Sequence, residues 1–350
     1  MLSVASVVAV FFSSSSSLAA GPASQPASAP SKGNPRVDAA VDKALAFLAK
    51  SQQADGTFAS PAGTTTAVTG LSVMAFLAKG HTPGRGLYGE VLNKGVDHVL
   101  DSVQPGGLLV KGNAASGPMY SHAIATLMLS EVSGMVDAAR QKRIDRTLGP
   151  ALKLILTAQS QPKPAPQQGG WRYQAASRDS DISCTGWALM SLRSARNAGA
   201  AVPKSALDDA IKFVLACRTA DGGFAYQAGS DASLARTGTA LLCLELAGQH
   251  RDKITLAAGD WILKNVPKTF GGGYFYYGLY YSSQGMFQLG GDQWEKFSGQ
   301  MYDMMLKFQK PDGAWPDAGG AEGSAGPCYA TAMSVLAMSV SYCQLPIYQR

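Results

Sequence analysis

"LDDAIKFVLACRTADGGFAYQAGSDASLARTGTALLCLELAG" (Leu207–Gly248) holds two helical patterns of different character on either side of a glycine turn. In the first, Leu207, Ala210, Ile211 and Val214 recur at i, i+3, i+4 and i+7, the spacing of an amphipathic helix. The second, "TGTALLCLELAG" (Thr237–Gly248), is apolar nearly all round and rich in small residues. A helix with one wet face belongs on the outside of an assembly, and a helix with none belongs inside. The unit is therefore an outer helix, a glycine turn with an aromatic behind it, and an inner helix.

The unit recurs along the chain. Besides "TADGGFAY" (Thr219–Tyr226), the turns read "QADGTF" (Gln53–Phe58), "QPGGLL" (Gln104–Leu109), "QGGWRY" (Gln168–Tyr173), "FGGGYFYY" (Phe270–Tyr277) and "KPDGAW" (Lys310–Trp315). An amphipathic run, "VDAAVDKALAFLAKSQ" (Val37–Gln52), precedes the first of them. All-round apolar runs follow the turns, as in "TGLSVMAFLA" (Thr69–Ala78), "SHAIATLMLSEV" (Ser121–Val132) and "YATAMSVLAMSV" (Tyr329–Val340). The turn glycines are roughly 40 to 65 residues apart, a period that signals an array of supersecondary units. The longest interval contains "SQPKPAPQQ" (Ser160–Gln168), whose prolines exclude helix. An open array would carry polar capping repeats at its ends, yet the last helix is as apolar as the middle ones. The expected fold is all-α: six helical hairpins curled into one closed α/α toroid, which brings Val37 near Tyr348.

Composition bounds the rest. Hydrophobic residues make up 46% of the 350 and charged residues only 15%, as expected for much buried helix surface or a lined cavity. The net charge of +6 is spread out, and no basic stripe with interleaved aromatics points to nucleic acid. Leu2–Phe12 is an apolar run too short for a bilayer, which needs about 20 residues. With the small residues Ser17-Leu18-Ala19 behind it, the run reads as a signal peptide over residues 1–19, and the chain as exported. Residues 20–35, rich in Ala, Ser and Pro, read as a linker, and 36–350 as the toroid. No transmembrane span is expected in the mature chain. The five cysteines are far apart, with no CxxC pair, and most behave as small buried hydrophobes.

At this point the residues carry a resemblance. The glycine turns are similar to the repeats shared by squalene and other triterpene cyclases and by protein prenyltransferase β subunits, over roughly Val37 to Tyr348. "GGWRYQ" (Gly169–Gln174), "DSDISCTGWALMSLRSARNAG" (Asp179–Gly199) and "YYSSQGMFQLGG" (Tyr280–Gly291) resemble bacterial prenyltransferase and squalene oxidase repeat proteins most closely. The resemblance is specific for the fold and weaker for activity.

In cyclases that protonate an alkene, the acid lies in an Asp-x-Asp-Asp motif at the head of an inner helix. Here Asp179 and Asp181 fall on its first two aspartates, with Asp181 at the proton-donor position, and Ile182 replaces the third. The same stretch suits a helix start, where Asp181 or Ser183 would cap the helix containing Trp187 and Asp179 would gain from its dipole. Both effects favour the ionised form. Catalytic candidates are thus Asp181 and Asp179, with capping as the competing role.

Candidate ligand-binding residues come from the aromatic run Phe270–Phe287 and from the starts of the inner helices: Tyr120, His122, Trp187, Arg236, Tyr276, Tyr277, Tyr280 and Phe287. Aromatic faces stabilise cations and suit apolar ligands. The competing roles are packing between hairpins and, for His122, a core histidine bonded to backbone. Zinc, which prenyltransferases hold through Asp, Cys and His, is not expected. Gly326 stands where the Asp before Cys328 should be, and His81, His98, His122 and His250 show no ligand spacing. No phosphate loop or thioester run appears, so no cofactor is expected. The expected function is binding of an apolar, isoprenoid-like molecule or lipid in a central cavity, without the full cyclisation acid. The alternatives are an active cyclase or isomerase using Asp181, and a scaffold that binds protein partners.

Overall fold

The computed structural model describes residues 34–61, 63, 65–112, 114 and 117–349. The signal-peptide and linker segments lie outside these, apart from the last two linker positions, where the first helix already begins. Among the described residues there are twelve α-helices, no strand beyond isolated bridges, and three short 3-10 turns.

The helices alternate as the two patterns predict. The outer helices are α1 (Pro35–Ser51), α3 (Gly89–Asp101), α5 (Ala138–Gln159), α7 (Lys204–Ala216), α9 (Lys253–Asn265) and α11 (Gly291–Phe308). The inner helices are α2 (Thr65–Ala78), α4 (Met119–Val132), α6 (Ile182–Asn197), α8 (Leu234–Leu246), α10 (Phe275–Leu289) and α12 (Gly326–Ser339). Every residue of α10 is buried, whereas α7 buries only Ala206, Ala210, Ile211, Phe213 and Val214. Each inner helix packs on the next, and α12 returns to α2 while α11 returns to α1, so both rings close.

Small residues set the inner spacing. A Cβ added at Gly238 of α8 would lie 2.5 Å from the Ser282 nitrogen of α10, so a larger residue there would push the two helices apart.

The glycine turns act as clasps between neighbouring hairpins. Gln52, Gln159 and Gln309 end their outer helices, and each amide donates twice. One bond goes to its own turn, at Gly56, Gly169 and Gly313 oxygens; the other goes to the next outer helix, at Val91, Ala206 and Ala40 oxygens. The last of these joins α11 to α1 and closes the outer ring. Behind four of the turns, the backbone N–H of Phe58, Trp171, Phe224 or Trp315 donates to a threonine on the following inner helix: Thr69, Thr185, Thr237 or Thr331.

Ring closure is sealed where Tyr342 Oη donates to Asp38 at 2.5 Å and Lys79 pairs with the same carboxylate. Tyr348 does not stop at α1. The chain runs on beneath the inner ring, where Ile347 N–H donates to Glu131 at 3.2 Å and the Tyr348 and Tyr280 hydroxyls meet at 3.3 Å. The tail thus closes one end of the ring.

Candidate functional site

Asp181 precedes α6 with extended backbone, and its Oδ1 accepts the Cys184 N–H at 2.8 Å, the bond of an N-cap. Its own N–H donates to Trp171 oxygen, and its carbonyl accepts the Thr185 hydroxyl, so the turn before α6 is tied down from three sides. Its Oδ2 faces Arg172 Nη1 at 3.4 Å. The same guanidinium pairs with the half-exposed Asp179 at 3.2 Å and donates to Tyr226 Oη at 2.9 Å. Asp181 is 0% exposed. The helix terminus alone was expected to keep this carboxyl ionised; burial acts the other way and is the larger effect, so its pKa is raised, against the Cys184 N–H and Arg172.

Above this turn lies a cavity of about 660 Å3. All six inner helices contribute their first turns to its wall, so it sits on the ring axis, at the end opposite the C-terminal tail. One side is aliphatic, from Ala67, Val68 and Leu71 of α2 and Ile124 of α4. The other carries rings with polar tips: Tyr120, Tyr173, Trp187, Tyr226, Tyr277 and Tyr329. Tyr120 stacks on Tyr173 at 6.0 Å, its hydroxyl meets that of Tyr277 at 3.2 Å, and the hydroxyls of Tyr173 and Tyr226 are hydrogen-bonded. Arg172 and Arg236 each lie 5.2 Å from the Tyr226 ring centre. Trp187 is 1% exposed, and its indole N–H has no hydrogen-bond partner among the described residues. Glu322 reaches into the wall from the loop before α12.

Of the residues singled out in the sequence, Tyr120, Trp187, Arg236 and Tyr277 line this cavity. Asp181 and Asp179 do not; they stand behind Tyr226, reached through Arg172. Tyr280 lies one layer deeper, stacked on Trp187 at 5.6 Å. Tyr276 turns outward between hairpins, its hydroxyl donating to Pro316 oxygen. Phe287 packs edge-on against Trp294 of α11. His122 is a clasp residue: its Nδ1 accepts the Leu109 N–H at 3.1 Å, in the place the threonines take in other repeats, and Nε2 bonds Ala151 oxygen. Burial pulls its pKa down to about 4.

Tyr173, Tyr226, Tyr329 and Glu322 were not anticipated. "GGWRYQ" and "GGFAYQ" share a tyrosine two residues behind the turn aromatic, and aligning the two turns would have exposed Tyr173 and Tyr226 as a pair. Glu322 sits in a glycine-rich loop and leaves no such signal. The residues at α12 do not fit a zinc ion. Cys328 packs beside Ser51 and Ala59 with its thiol pKa raised by burial, and Gly326 supplies no carboxylate. Among the described residues no group of three or more His, Cys, Asp or Glu is placed to hold a metal, all five cysteines are free, and no helix is long and apolar enough to cross a membrane.

Residues 111–274 match the family model of the prenyltransferase alpha-alpha toroid domain. Type II terpene cyclase MstE from Scytonema, in complex with its product merosterolic acid A, superposes with a TM-score of 0.61 at 14% identity, over 89% of this chain and 98% of that one. A family 76 glycoside hydrolase from a bovine Bacteroides thetaiotaomicron strain gives a TM-score of 0.61 at 11% identity, over 88% of this chain and 78% of the other. A glycosidase variant gives 0.59 at 15% identity, over 89% and 98%. No curated protein matches the sequence. At these identities the likeness is one of fold.

Proposed function

We propose, from the match of residues 111–274 to the prenyltransferase alpha-alpha toroid domain and the fold shared with a type II terpene cyclase, that this chain binds an apolar, isoprenoid-like molecule in its axial cavity and does not cyclise it. The observation that carries the reading is the wall itself: aliphatic on one side, aromatic with hydroxyl and N–H tips on the other, around about 660 Å3. That volume falls within the roughly 300–1,000 Å3 of small-molecule sites. An extended hydrocarbon would displace water from both sides, and the polar tips would orient any oxygen it carries. The cyclase neighbour has also been seen with geranylgeranyl dihydroxybenzoate, a substrate of this general kind.

The absence of cyclisation follows from Asp181. Alkene protonation needs a strong, still protonated acid in contact with the substrate and neighbours that stabilise the anion left behind. Asp181 has one oxygen on the Cys184 N–H and the other toward Arg172, is not part of the cavity wall, and is followed by Ile182 where the cyclase motif has a carboxyl. Proton transfer through Arg172, which stays charged, is not available. A second reading, an isomerase that uses Asp181, is favoured by one observation, the pKa raised by burial.

Native mass spectrometry of protein from its own host tests the first reading, with a co-purifying lipid expected. Incubation with squalene or shorter polyprenols should return them unchanged. A cyclised product that disappears in a folded Asp181→Asn protein would establish the second reading instead. Export belongs to the same proposal. N-terminal sequencing of protein from the host should find a chain starting near Ala20.

A further inference from the structure

The loop between α11 and α12 is held across the cavity rim by one side chain. Asp317–Gly326 ("DAGGAEGSAG") has Gly319, Gly320 and Gly326 at positive φ, and it contributes Glu322, Ser324 and Ala325 to the cavity wall. Facing it is a second glycine loop, "FGGGY" (Phe270–Tyr274), whose three glycines also have positive φ. The two loops meet through backbone: Gly272 N–H donates to Ala318 oxygen at 2.7 Å, and a Cβ at Gly320 would lie 3.0 Å from the Gly273 backbone. Glu322 supplies the side-chain hold. It is 8% exposed. Its Oε2 accepts the Tyr276 N–H at 2.9 Å, and Oε1 accepts the Tyr277 N–H at 2.9 Å and the Tyr329 hydroxyl at 2.7 Å.

Those donors belong to two inner helices. The residue before α10, Tyr274, makes no side-chain cap, so Glu322 satisfies the first amides of α10 from outside the helix. Tyr277 and Tyr329 are cavity-wall residues, so the carboxylate also fixes two rings of the site. Release of Glu322 would free the loop on glycine hinges and leave the α10 amides to water at the rim.

We infer that Asp317–Gly326 is a gate for the cavity ligand and that Glu322 is its latch. Opening breaks three charge-assisted bonds and one backbone bond but leaves the packed helices in place, a local opening of the kind that is much cheaper than global unfolding. The inference rests on the ligand reading proposed above, so its test has one arm that needs no ligand.

The first arm is amide hydrogen exchange. Glu322→Gln is neutral and can accept on one oxygen only. It should speed exchange at Tyr276, Tyr277 and residues 317–326 by about tenfold or more, with the later turns of α10 and all of α8 unchanged. Tyr329→Phe removes one of the three donors and should give a smaller acceleration at the same amides. The second arm is stopped-flow uptake of Nile red, an apolar fluorescent probe. Uptake should accelerate in Glu322→Gln by a similar factor, and dye release with it, because an opened gate speeds passage in both directions. Acceleration spread over all inner helices would reduce Glu322 to a packing residue and overturn the gate. So would local acceleration with unchanged dye uptake, or unchanged exchange in both variants. Failure of the wild type to bind the dye at all would instead sink the ligand reading, and the gate with it.

Discussion

At the scale of single residues, Asp181 shows how one carboxylate can satisfy a motif and a cap at once, and why its surroundings decide between them. Its Oδ1 is spent on the Cys184 N–H and its Oδ2 looks at Arg172. Asp181→Asn keeps an oxygen for the amide and should change stability by less than about 1 kcal/mol, whereas Asp181→Ala loses the cap and should cost about 0.5–2 kcal/mol, read by urea denaturation. Glu131 is another buried acid with a stake in stability. It accepts the Ser194 hydroxyl and Ile347 N–H, and burial raises its pKa to about 7. A raised acid pKa means the folded state prefers the protonated form. The stabilising contribution is complete below the unfolded value near 4.5 and is lost as pH rises through about 7. Glu131→Gln keeps an acceptor for Ile347 and has no charge to bury. Its stability relative to wild type should therefore climb between pH 4.5 and 7, by about 3 kcal/mol at most. His122 acts with the opposite sign. With its pKa lowered to about 4, its contribution is complete above the unfolded 6.5 and is lost on acidification. The two partly cancel in the wild type, so the difference between the two proteins' melting curves is the quantity to measure.

At the scale of elements, the recurrent clasp explains why the turns read as they do. In the clasps of Gln52, Gln159 and Gln309, one glutamine amide group donates both to its own turn and to the neighbouring outer helix. Glycine is required because the turn lies against that helix. At Gly313, φ is +94° and an added Cβ would sit 2.3 Å from Lys43 oxygen of α1. Gly199 has the same φ of +94° and nothing within 4 Å. Gly199→Ala should therefore cost about 1 kcal/mol from backbone strain, while Gly313→Ala adds a backbone clash and should cost clearly more, about 3 kcal/mol or above. Equal melting temperatures for the two variants would mean that the turn does not clasp α1. His122, standing where other repeats place threonine, shows that the clasp needs an acceptor at that point and tolerates more than one chemistry.

At the scale of the whole molecule, closure makes the site. The cavity wall draws on the first turns of all six inner helices, so no single hairpin contains it. A chain starting at Asn34 should scatter as a compact particle with a radius of gyration of about 20 Å, the value for a folded domain of this size. An elongated profile would mean that the contact of Gln309 with α1 and the bond of Tyr342 to Asp38 do not hold in solution. The tail beneath the ring and the glycine loops above it give the two ends different characters. One is packed shut around Glu131 and Tyr280; the other is a rim of short loops.

The sequence by itself determined the architecture. Helix type depends on which residues recur at helical spacing, and the wet or dry face of each helix assigns it to the outer or inner ring. The turn glycines mark the repeat because positive φ and close backbone approach leave a local trace. The role of Asp181 as a helix start was legible for the same reason, since a cap is an interaction within four residues. The membership of the cavity wall was not. Tyr276, Tyr277 and Tyr280 are near neighbours in one aromatic run, yet they point outward, into the cavity and into the layer beneath it. Direction around a fully buried helix leaves no polar face in the sequence to read. Arg172, Tyr226 and Glu322 take their roles from partners that are distant along the chain or on another helix. Only closure of the ring brings those partners together, and the pKa of Asp181 turns on the burial that closure imposes.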